Sequence, residues 1–285
     1  TVREEDQVEF LIPARTLHTI LFFSDRGKVY SEKVYQIPDA NRTDKGIPIV
    51  NVLSLENGER ITAAVSVPSF DEGSFFTMAT LGGTVKRVAL SEFASVRPSG
   101  LIAISLDKGD ELGWVRLTSG KDEIILVTRK GQALRFAESE IRSMGRQAAG
   151  VSGIKLKADD RVASMEIVEP GGQLLVVSER GYGKRTRLEE YPVKGRATGG
   201  VATTDLKQFE RIGWISAARV VQQEDEVTLI SSGGIMLRLK VKDITLAGRA
   251  TRGFKLMDLE NEDKVASVAR ITSEEIKTTG PGEIN

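Results

Sequence analysis

Five arginines recur at the same place in a repeated pattern, and their side chains are the residues of this 285-residue chain best suited to chemistry. Each lies three or four residues before a glycine: Arg42, Arg97, Arg146, Arg196 and Arg249. A guanidinium group stays charged, and its planar fork pairs with phosphate or carboxylate oxygens. Several such groups on one surface would suit a ligand that carries repeated negative charges.

Further lysines and arginines follow an earlier glycine of each repeat or flank the same loops. The predicted contacts are Arg42, Lys45, Lys86, Arg87, Arg97, Arg135, Arg146, Lys184, Arg185, Arg187, Lys194, Arg196, Arg238, Lys240, Arg249 and Arg252. The chain has 40 Lys and Arg against 40 Asp and Glu, so a basic surface requires charges that are segregated in space. An ordinary solvated charge is an equal alternative for any single arginine and a less favoured one for the fivefold recurrence.

Three anchors define the repeat that must position these residues. The first is a turn glycine, with spacings of 56, 48, 50 and 53 residues: Gly27, Gly83, Gly131, Gly181 and Gly234. The second is a glycine 17 to 19 residues later: Gly46, Gly100, Gly150, Gly200 and Gly253. The third is an acid before an apolar stretch, expected to bond backbone amides: Glu59, Asp110, Asp160, Glu210 and Asp263.

Each repeat is predicted to form about four β-strands. Runs of Ile, Val, Leu and Phe have strand length, and turns such as "DRGK" and "SSGG" are typical of hairpins. Stacking such sheets radially protects their faces and edges, which favours an all-β, propeller-like disk. His18, Trp114 and Trp214 are assigned to packing.

The pattern predicts a single domain over residues 1–271. Residues 1–18 match only the end of a repeat, so the chain is expected to be a fragment. The full repeats are placed at 19–73, 74–122, 123–172, 173–225 and 226–271, followed by a polar, disordered tail at 272–285. The chain has no cysteine, which excludes disulfides and thiolate zinc sites, and no apolar run of membrane-spanning length.

Two stretches, "FSDRGKVYSEKVYQIPDANRTDKGIPIVNVL" and "GYGKRTRLEEYPVKGRATGGV", resemble the C-terminal domain of the DNA gyrase A subunit, part of a type IIA topoisomerase. The likeness extends from Val2 to Ile271. It implies a six-bladed β-pinwheel, here with an incomplete first blade, whose blades exchange strands. It also implies sequence-nonspecific binding, bending and wrapping of duplex DNA around the rim, which presents a DNA segment for negative supercoiling.

The resemblance further implies that this chain is not an enzyme by itself and needs no cofactor. ATP, Mg and the cleavage tyrosine would belong to other parts of the holoenzyme. The implied partners are double-stranded DNA, the rest of the gyrase A subunit, and the gyrase B subunit in an A2B2 assembly. The isolated domain would be a monomer without a membrane partner, and the location would be the bacterial cytoplasm, at the nucleoid.

One departure from the family concerns the first blade, where the chain begins with what resembles the residues just after the family's signature, so that the signature is either omitted or lies outside this chain. The signature heptad Gln-Arg-Arg-Gly-Gly-Lys-Gly, needed for full wrapping, does not occur in this sequence. The equivalent topoisomerase IV domain, which binds DNA without full wrapping, is one alternative, and a protein-interaction propeller is another. A propeller enzyme is disfavoured, because one histidine and no cysteine leave few catalytic groups.

Overall fold

The computed structural model describes residues 12, 14–39, 46–71, 73–260 and 262–278. Over these residues the chain forms five antiparallel sheets, which confirms the all-β prediction. The hairpin turns form where the first glycines predicted them. At Gly27, for example, φ is +73° and an added Cβ would lie 2.5 Å from the carbonyl oxygen of Ile104, so this turn needs glycine twice over.

The strands follow the repeats in order. The first three repeats contain β1 (Thr19–Ser24), β2 (Lys28–Lys33), β3 (Ile61–Val67), β4 (Phe75–Thr80), β5 (Thr84–Ala89), β6 (Leu101–Ile102), β7 (Leu112–Thr118), β8 (Glu123–Thr128), β9 (Gln132–Ala137), β10 (Val151–Ser152) and β11 (Val162–Ile167). The last two contain β12 (Gln173–Ser178), β13 (Tyr182–Arg187), β14 (Val201–Ala202), β15 (Ile215–Val221), β16 (Glu226–Ser231), β17 (Met236–Lys240), β18 (Phe254–Lys255) and β19 (Val265–Ile271).

Helical elements in the described residues are short. The α-helices are α1 (Phe209–Ile212) and α2 (Ser273–Thr278). Turns of 3-10 helix lie at Val34–Gln36, Ile49–Asn51, Leu90–Phe93, Glu138–Glu140, Leu188–Glu190, Leu206–Gln208 and Val241–Asp243. Most of the 3-10 turns follow the second strand of a repeat, where the chain leaves the sheet.

Strand exchange joins each blade to the next. The first sheet has the order β3-β1-β2-β6, although β6 belongs to the following repeat. The next three sheets repeat this arrangement, taking β10, β14 and β18 from the repeat that follows. Each exchanged strand is two residues long and pairs just after the hairpin glycine, as Val29 with Leu101 and Val85 with Val151. The fifth sheet, β17-β16-β19, has three strands in the described chain.

The prediction of six blades was wrong: the described residues form five. The extra position rested on residues 4–14, whose sequence matches only the end of a repeat. Residues 1–11 and 13 lie outside the described residues. The inner strands β3, β7, β11, β15 and β19 contact one another in that order, so the blades are arranged radially.

The hydrophobic core lies between blades as well as within them. One cluster joins Phe23 of the first blade to Phe76 and Phe93 of the second, and the three rings meet edge to face at centroid distances of 5.1 to 6.0 Å. Similar buried clusters join the later blades in sequence. Burial shared across blades is what a radial stack of sheets requires.

The aspartates of the third anchor bond backbone amides as predicted. An oxygen of Asp110 accepts hydrogen bonds from the backbone N–H of Gly82, at 2.7 Å, and of Glu111, at 2.8 Å. Asp160 and Asp263 do the same in their repeats. These bonds tie the hairpin turn to the start of the inner strand.

The two glutamates of the third anchor behave differently. Glu59 accepts the N–H of Glu56 at 2.9 Å, close in sequence, and the Tyr30 hydroxyl at 2.8 Å. Glu210 lies in α1, where the fourth repeat departs from the others, and the same role does not extend to it. The anchor is therefore strict only where the residue is aspartate.

The packing prediction for the two tryptophans needs one correction. Trp114 packs against a core cluster as predicted. Trp214 is 39% exposed and packs against Phe209, with 5.0 Å between the ring centroids, because the α1 insertion takes it out of the core.

The prediction of a disordered tail also needs correction, because the tail begins with α2. Thr272 and Glu275 form a reciprocal capping box there, with Thr272 N–H donating to Glu275 Oε2 at 2.7 Å.

Candidate nucleic-acid interface

Four loops on the outside of the disk carry the recurrent arginines that the structure describes. We call residues 97–100, 145–150, 195–200 and 248–253 the rim loops. Each leads into an exchanged strand, so it belongs to one repeat but rests on the second strand of the preceding blade. Isolated bridges, such as Arg135 with Val193, guide the chain along that strand. Arg42 and Lys45, in the equivalent loop of the first repeat, lie outside the described residues.

Three rim arginines form a chain of contacts from loop to loop. The Nη1 atom of Arg146 donates to the carbonyl of Ile102 at 3.3 Å. In the same way Arg196 donates to Ser152, and Arg249 to Ala202, both at 3.0 Å. Every acceptor is the second residue of the preceding exchanged strand. The recurrence therefore has a structural role, and the half-buried guanidinium groups keep part of their surface toward solvent.

Carboxylates from the preceding blade hold the backbone of two rim loops. Glu140 Oε2 accepts the N–H of Arg196 at 3.0 Å, and Glu190 Oε2 accepts the N–H of Arg249 at 3.1 Å. Sequence reasoning missed both glutamates. Their position was a usable signal, because each lies nine residues after a hairpin glycine.

Lys86 and Lys184, both predicted contacts, are buried beneath rim loops. The Lys86 ammonium donates to the carbonyls of Ala103 and Ala148, each at 2.8 Å, and to that of Arg146. The Lys184 ammonium donates to the carbonyls of Gly248 and Arg249, each at 2.5 Å, and to the Thr251 hydroxyl at 3.1 Å. Their charges thus organise loops from within.

Three further predicted arginines each lie four residues after a hairpin glycine, and they also make contacts within the protein. Arg185 is buried and donates to the carbonyls of Ile244 and Lys242. Arg135 pairs with Glu123 and donates to the carbonyl of Leu188 at 2.8 Å. Arg87 lies over the Phe75 ring at 4.7 Å from its centroid.

The remaining predicted residues present their charge to solvent. Four of them are exposed, and their side chains have no hydrogen-bond or ion-pair partner among the described residues: Arg97, Arg187, Lys194 and Lys240. We call these four the free rim cations. Arg238 is exposed but pairs with Glu226. Arg252 lies 5.8 Å from the centroid of the Tyr182 ring.

Sequence reasoning missed a second group of cations beside Tyr182. Lys255 lies 5.1 Å from the ring centroid, opposite Tyr182 across the exchanged strand. Arg211 is the main cause that lowers the pKa of the Tyr182 hydroxyl, and Lys255 and Arg252 add to this effect through their charge. Arg211 comes from the α1 insertion, so no repeat position could have indicated it.

A cavity lies between the inner strands of the disk. It measures about 670 Å³, and the ionisable residues in its lining are Glu59, Arg60, Glu111 and Arg219. No cluster of three or more His, Asp or Glu side chains able to hold a metal occurs among the residues described. Within the same part of the chain, no helix is both long and apolar enough to cross a bilayer.

The buried lysines lead to a pH prediction. Burial lowers the pKa of Lys86 and of Lys184 to about 8, while Glu92 and Glu190 oppose and Arg146 and Arg249 add to this effect. Between pH 8 and the unfolded value of 10.5 the unfolded chain binds more protons, so the free energy of unfolding should rise with pH. Burial also raises the pKa of Tyr191 to about 12, and that contribution is lost only above pH 10.

Urea unfolding at pH 7, 8, 9 and 10 measures this effect. The variant with Lys86→Met and Lys184→Met together should lack the rise seen in the wild type, since other groups titrate equally in both proteins. A wild-type stability that falls relative to the variant over this range would contradict the assignment of these two lysines.

Comparison with known families fits the five sheets. A sequence model of the family described as DNA gyrase C-terminal domain, beta-propeller, matches residues 18–68, 76–119, 122–169, 172–212 and 225–272. The chain belongs to the DNA gyrase C-terminal domain family. Each matched segment covers one repeat, and the resemblance drawn from the sequence is confirmed.

Curated relatives of this family member are much longer. The DNA gyrase A subunit of Halalkalibacterium halodurans is 53% identical over 272 residues, which are 95% of this chain and 32% of the relative. The DNA gyrase A subunit of Salmonella typhimurium is 45% identical over 95% of the chain and 30% of its own length. The chain thus spans about a third of the curated relatives it matches.

Solved structures show the same fold. The C-terminal domain of DNA topoisomerase IV superposes with a TM-score of 0.84 at 31% identity, over 91% of this chain and 80% of that one. The DNA gyrase A C-terminal domain gives a TM-score of 0.78 at 26% identity, over 90% and 83%. The family and fold are therefore established together.

Proposed function

We propose that this domain binds duplex DNA without sequence preference along its outer rim, bends it, and presents a segment for negative supercoiling. The observation that carries the proposal is the repetition of the rim loops: each sits on the preceding blade and brings an arginine to an equivalent place. A radial array of equivalent contacts suits the evenly spaced phosphates of DNA.

The electrostatics of the rim support phosphate contact rather than base reading. The free rim cations have no protein partner among the described residues, so their charges are available to phosphates. Bending a short DNA site by 40–90° costs on the order of 1–6 kcal/mol. Several charge-assisted contacts offset that cost without any base-specific bond.

The place of the domain in a larger enzyme follows from its family. We propose that it acts as a non-catalytic part of the gyrase A subunit, which joins the gyrase B subunit in an A2B2 assembly in the bacterial cytoplasm, at the nucleoid. ATP and Mg would be used elsewhere in that assembly, and the isolated domain would be monomeric.

A second candidate is DNA binding without full wrapping, as inferred for the equivalent topoisomerase IV domain. One observation favours it: the topoisomerase IV domain superposes with a TM-score of 0.84, against 0.78 for the gyrase A domain. Relaxing a circular plasmid with a type I topoisomerase in the presence of the domain separates the two. Wrapping changes the linking number, whereas binding alone leaves it unchanged.

Removing the free rim cations tests where DNA lies. Changing Arg97, Arg187, Lys194 and Lys240 to Ala should weaken duplex binding uniformly across sequences. The slope of log affinity against log salt should fall by about three to four, since each lost phosphate contact removes about 0.9. Fluorescence anisotropy with a labelled duplex at several salt concentrations measures both quantities.

A matched variant controls for net charge. Lys108, Lys121, Lys157 and Lys207 are also exposed, but they lie in connections at the ends of the inner strands. Changing these four to Ala removes the same total charge and should change the salt slope by less than about one. An equal loss in both variants would show that binding follows net charge rather than the rim.

A further inference from the structure

Two rim loops of nearly identical sequence have different backbone conformations. Residues 195–200 read GRATGG and residues 248–253 read GRATRG. Each loop is attached to its neighbours by the same two hydrogen bonds of its arginine. The backbone N–H donates to a glutamate of the preceding blade, and Nη1 donates to the carbonyl of the preceding exchanged strand. Apart from Gly199 in one loop and Arg252 in the other, the difference is the residue below the loop, three positions after the hairpin glycine: Leu134 in one blade and Lys184 in the other.

Over Leu134, the peptide after the rim arginine directs its N–H into the protein. The N–H of Ala197 donates to the carbonyl of Gly153 at 2.6 Å. Ala197 has a φ of +61°, a left-handed conformation that is uncommon for a residue with a side chain. In this loop the amide is used internally.

Over Lys184, the same peptide has the opposite orientation. The carbonyl of Arg249 points inward and accepts from the lysine ammonium at 2.5 Å. The peptide is trans, so the N–H of Ala250 points the other way, toward solvent. Ala250 is exposed, has a negative φ, and its N–H has no acceptor among the described residues.

Lys86 produces the same arrangement in a third loop. Its ammonium binds the carbonyls of Arg146 and Ala148, so the N–H groups of Gln147 and Ala149 point outward. Both residues are exposed, and neither amide has an acceptor in the described part of the chain. Two lysines at one register, two blades apart, thus orient their loops alike.

The physical reason is the cost of burying a charge. A buried ammonium must have acceptors, and the loop carbonyls are the ones within reach, whereas a leucine makes no such demand. Within the described chain no carboxylate bonds either ammonium, so each charge remains without an ion-pair partner beneath its loop.

We propose that Lys86 and Lys184 build phosphate-binding sites in the rim loops 145–150 and 248–253, by turning outward the N–H of the residue after Arg146 and after Arg249. The ligand is a phosphodiester of duplex DNA, bound by that N–H and the neighbouring guanidinium over a buried positive charge. The loop over Leu134 lacks such a site. This rests on the proposed function, to which it adds specific contact points.

The electrostatic setting agrees with an anion site. A phosphate on the loop supplies the negative charge that the buried ammonium lacks, and an outward N–H beside a guanidinium group gives its oxygens two kinds of donor. Burial holds the pKa of both lysines near 8 in the free protein. A bound phosphate would raise it, so DNA binding near pH 8 should take up protons.

Amide resonances of the deuterated, 15N-labelled protein test the proposal. Titration with inorganic phosphate, and separately with a short duplex, should shift the amides of Gln147 and Ala250 strongly downfield and leave Ala197 nearly unchanged. Unchanged Gln147 and Ala250 amides in both titrations would overturn the proposal whatever the variants do.

A substitution that copies the natural contrast gives a second test. Lys184→Leu should let the loop adopt the conformation of 195–200, so that the Ala250 amide becomes protected from hydrogen exchange. The affinity for the duplex should fall about tenfold at constant salt, as expected for one charge-assisted hydrogen bond. Lys242→Leu removes an exposed charge from the neighbouring blade and should preserve the Ala250 shift.

The results separate this proposal from the proposed function. If the free rim cations prove necessary for DNA binding while the Gln147 and Ala250 amides ignore both ligands, the function stands and the lysine-built sites do not. If DNA does not bind but phosphate shifts these amides, the sites stand and DNA is the wrong ligand. A thermal melt confirms that Lys184→Leu is folded, and Lys86→Leu repeats the test in another blade.

Discussion

A fourfold rise in salt, from about 50 to 200 mM, should weaken the binding of duplex DNA to this domain roughly 1000-fold. Contact with about five or six phosphates gives a slope of log affinity against log salt near −5, because each neutralised phosphate releases counterions and this release is less favourable at high salt. The four free rim cations and the half-buried rim arginines are the groups expected to make these contacts. Equilibrium titrations at five or more salt concentrations measure the slope.

The sequence of the duplex should hardly matter in this experiment. Two duplexes of equal length and different composition are expected to give the same slope and nearly the same affinity, because phosphate contacts do not distinguish bases. A slope near zero would remove the rim from the binding surface and favour a protein-interaction propeller. A steep slope with strong sequence preference would contradict nonspecific wrapping.

The second large effect is expected from Gly200→Ala. The φ of Gly200 is +69°, and an added Cβ would lie 2.3 Å from the carbonyl oxygen of Ala133. The left-handed conformation costs about 1–2 kcal/mol for a residue with a side chain, and the backbone clash adds a comparable amount. A loss of about 3 kcal/mol in the free energy of unfolding is therefore expected, because β14 must move away from β9.

The neighbouring glycine is a matched control for this substitution. An added Cβ at Gly199 would meet no atom within 4 Å, and Gly199 has no positive φ. Gly199→Ala should therefore change the stability by less than about 0.5 kcal/mol, as exposed substitutions usually do. Urea unfolding of the three proteins gives the comparison, and equal losses at both positions would show that β14 does not depend on this close approach.

Local patterns were enough to predict the hairpins, the repeats and the role of the anchoring aspartates. The turn glycines have positive φ, and Asp110, Asp160 and Asp263 bond backbone amides at the predicted places. These features depend on residues close in the sequence or on one repeated contact. The repeats also favoured the radial arrangement, whereas the exchange of strands came from the family resemblance, because composition and periodicity do not encode it.

The identity of the solvent-facing cations could not be predicted in the same way. Lys86 and Arg187 both read as basic residues of a strand, yet one is fully buried and the other exposed. The difference arises because, in the first four blades, a loop from the next repeat covers the first half of the second strand. One signal was available: other repeats place Tyr30, Leu134 and Leu237 at the register of Lys86, which is typical of a covered position.

The exchanged strands give the disk a direction, because each of them extends from its own repeat to the preceding blade. In each of the first four blades the outer strand comes from the repeat that follows. Loss of one repeat would therefore remove the outer strand of the preceding blade. The fifth sheet, β17-β16-β19, has three strands in the described chain and shows a blade that lacks such an outer strand. If bent DNA pulled on a rim loop, the load would therefore be shared by two blades: the blade whose repeat contains the loop and the preceding blade on which the loop rests.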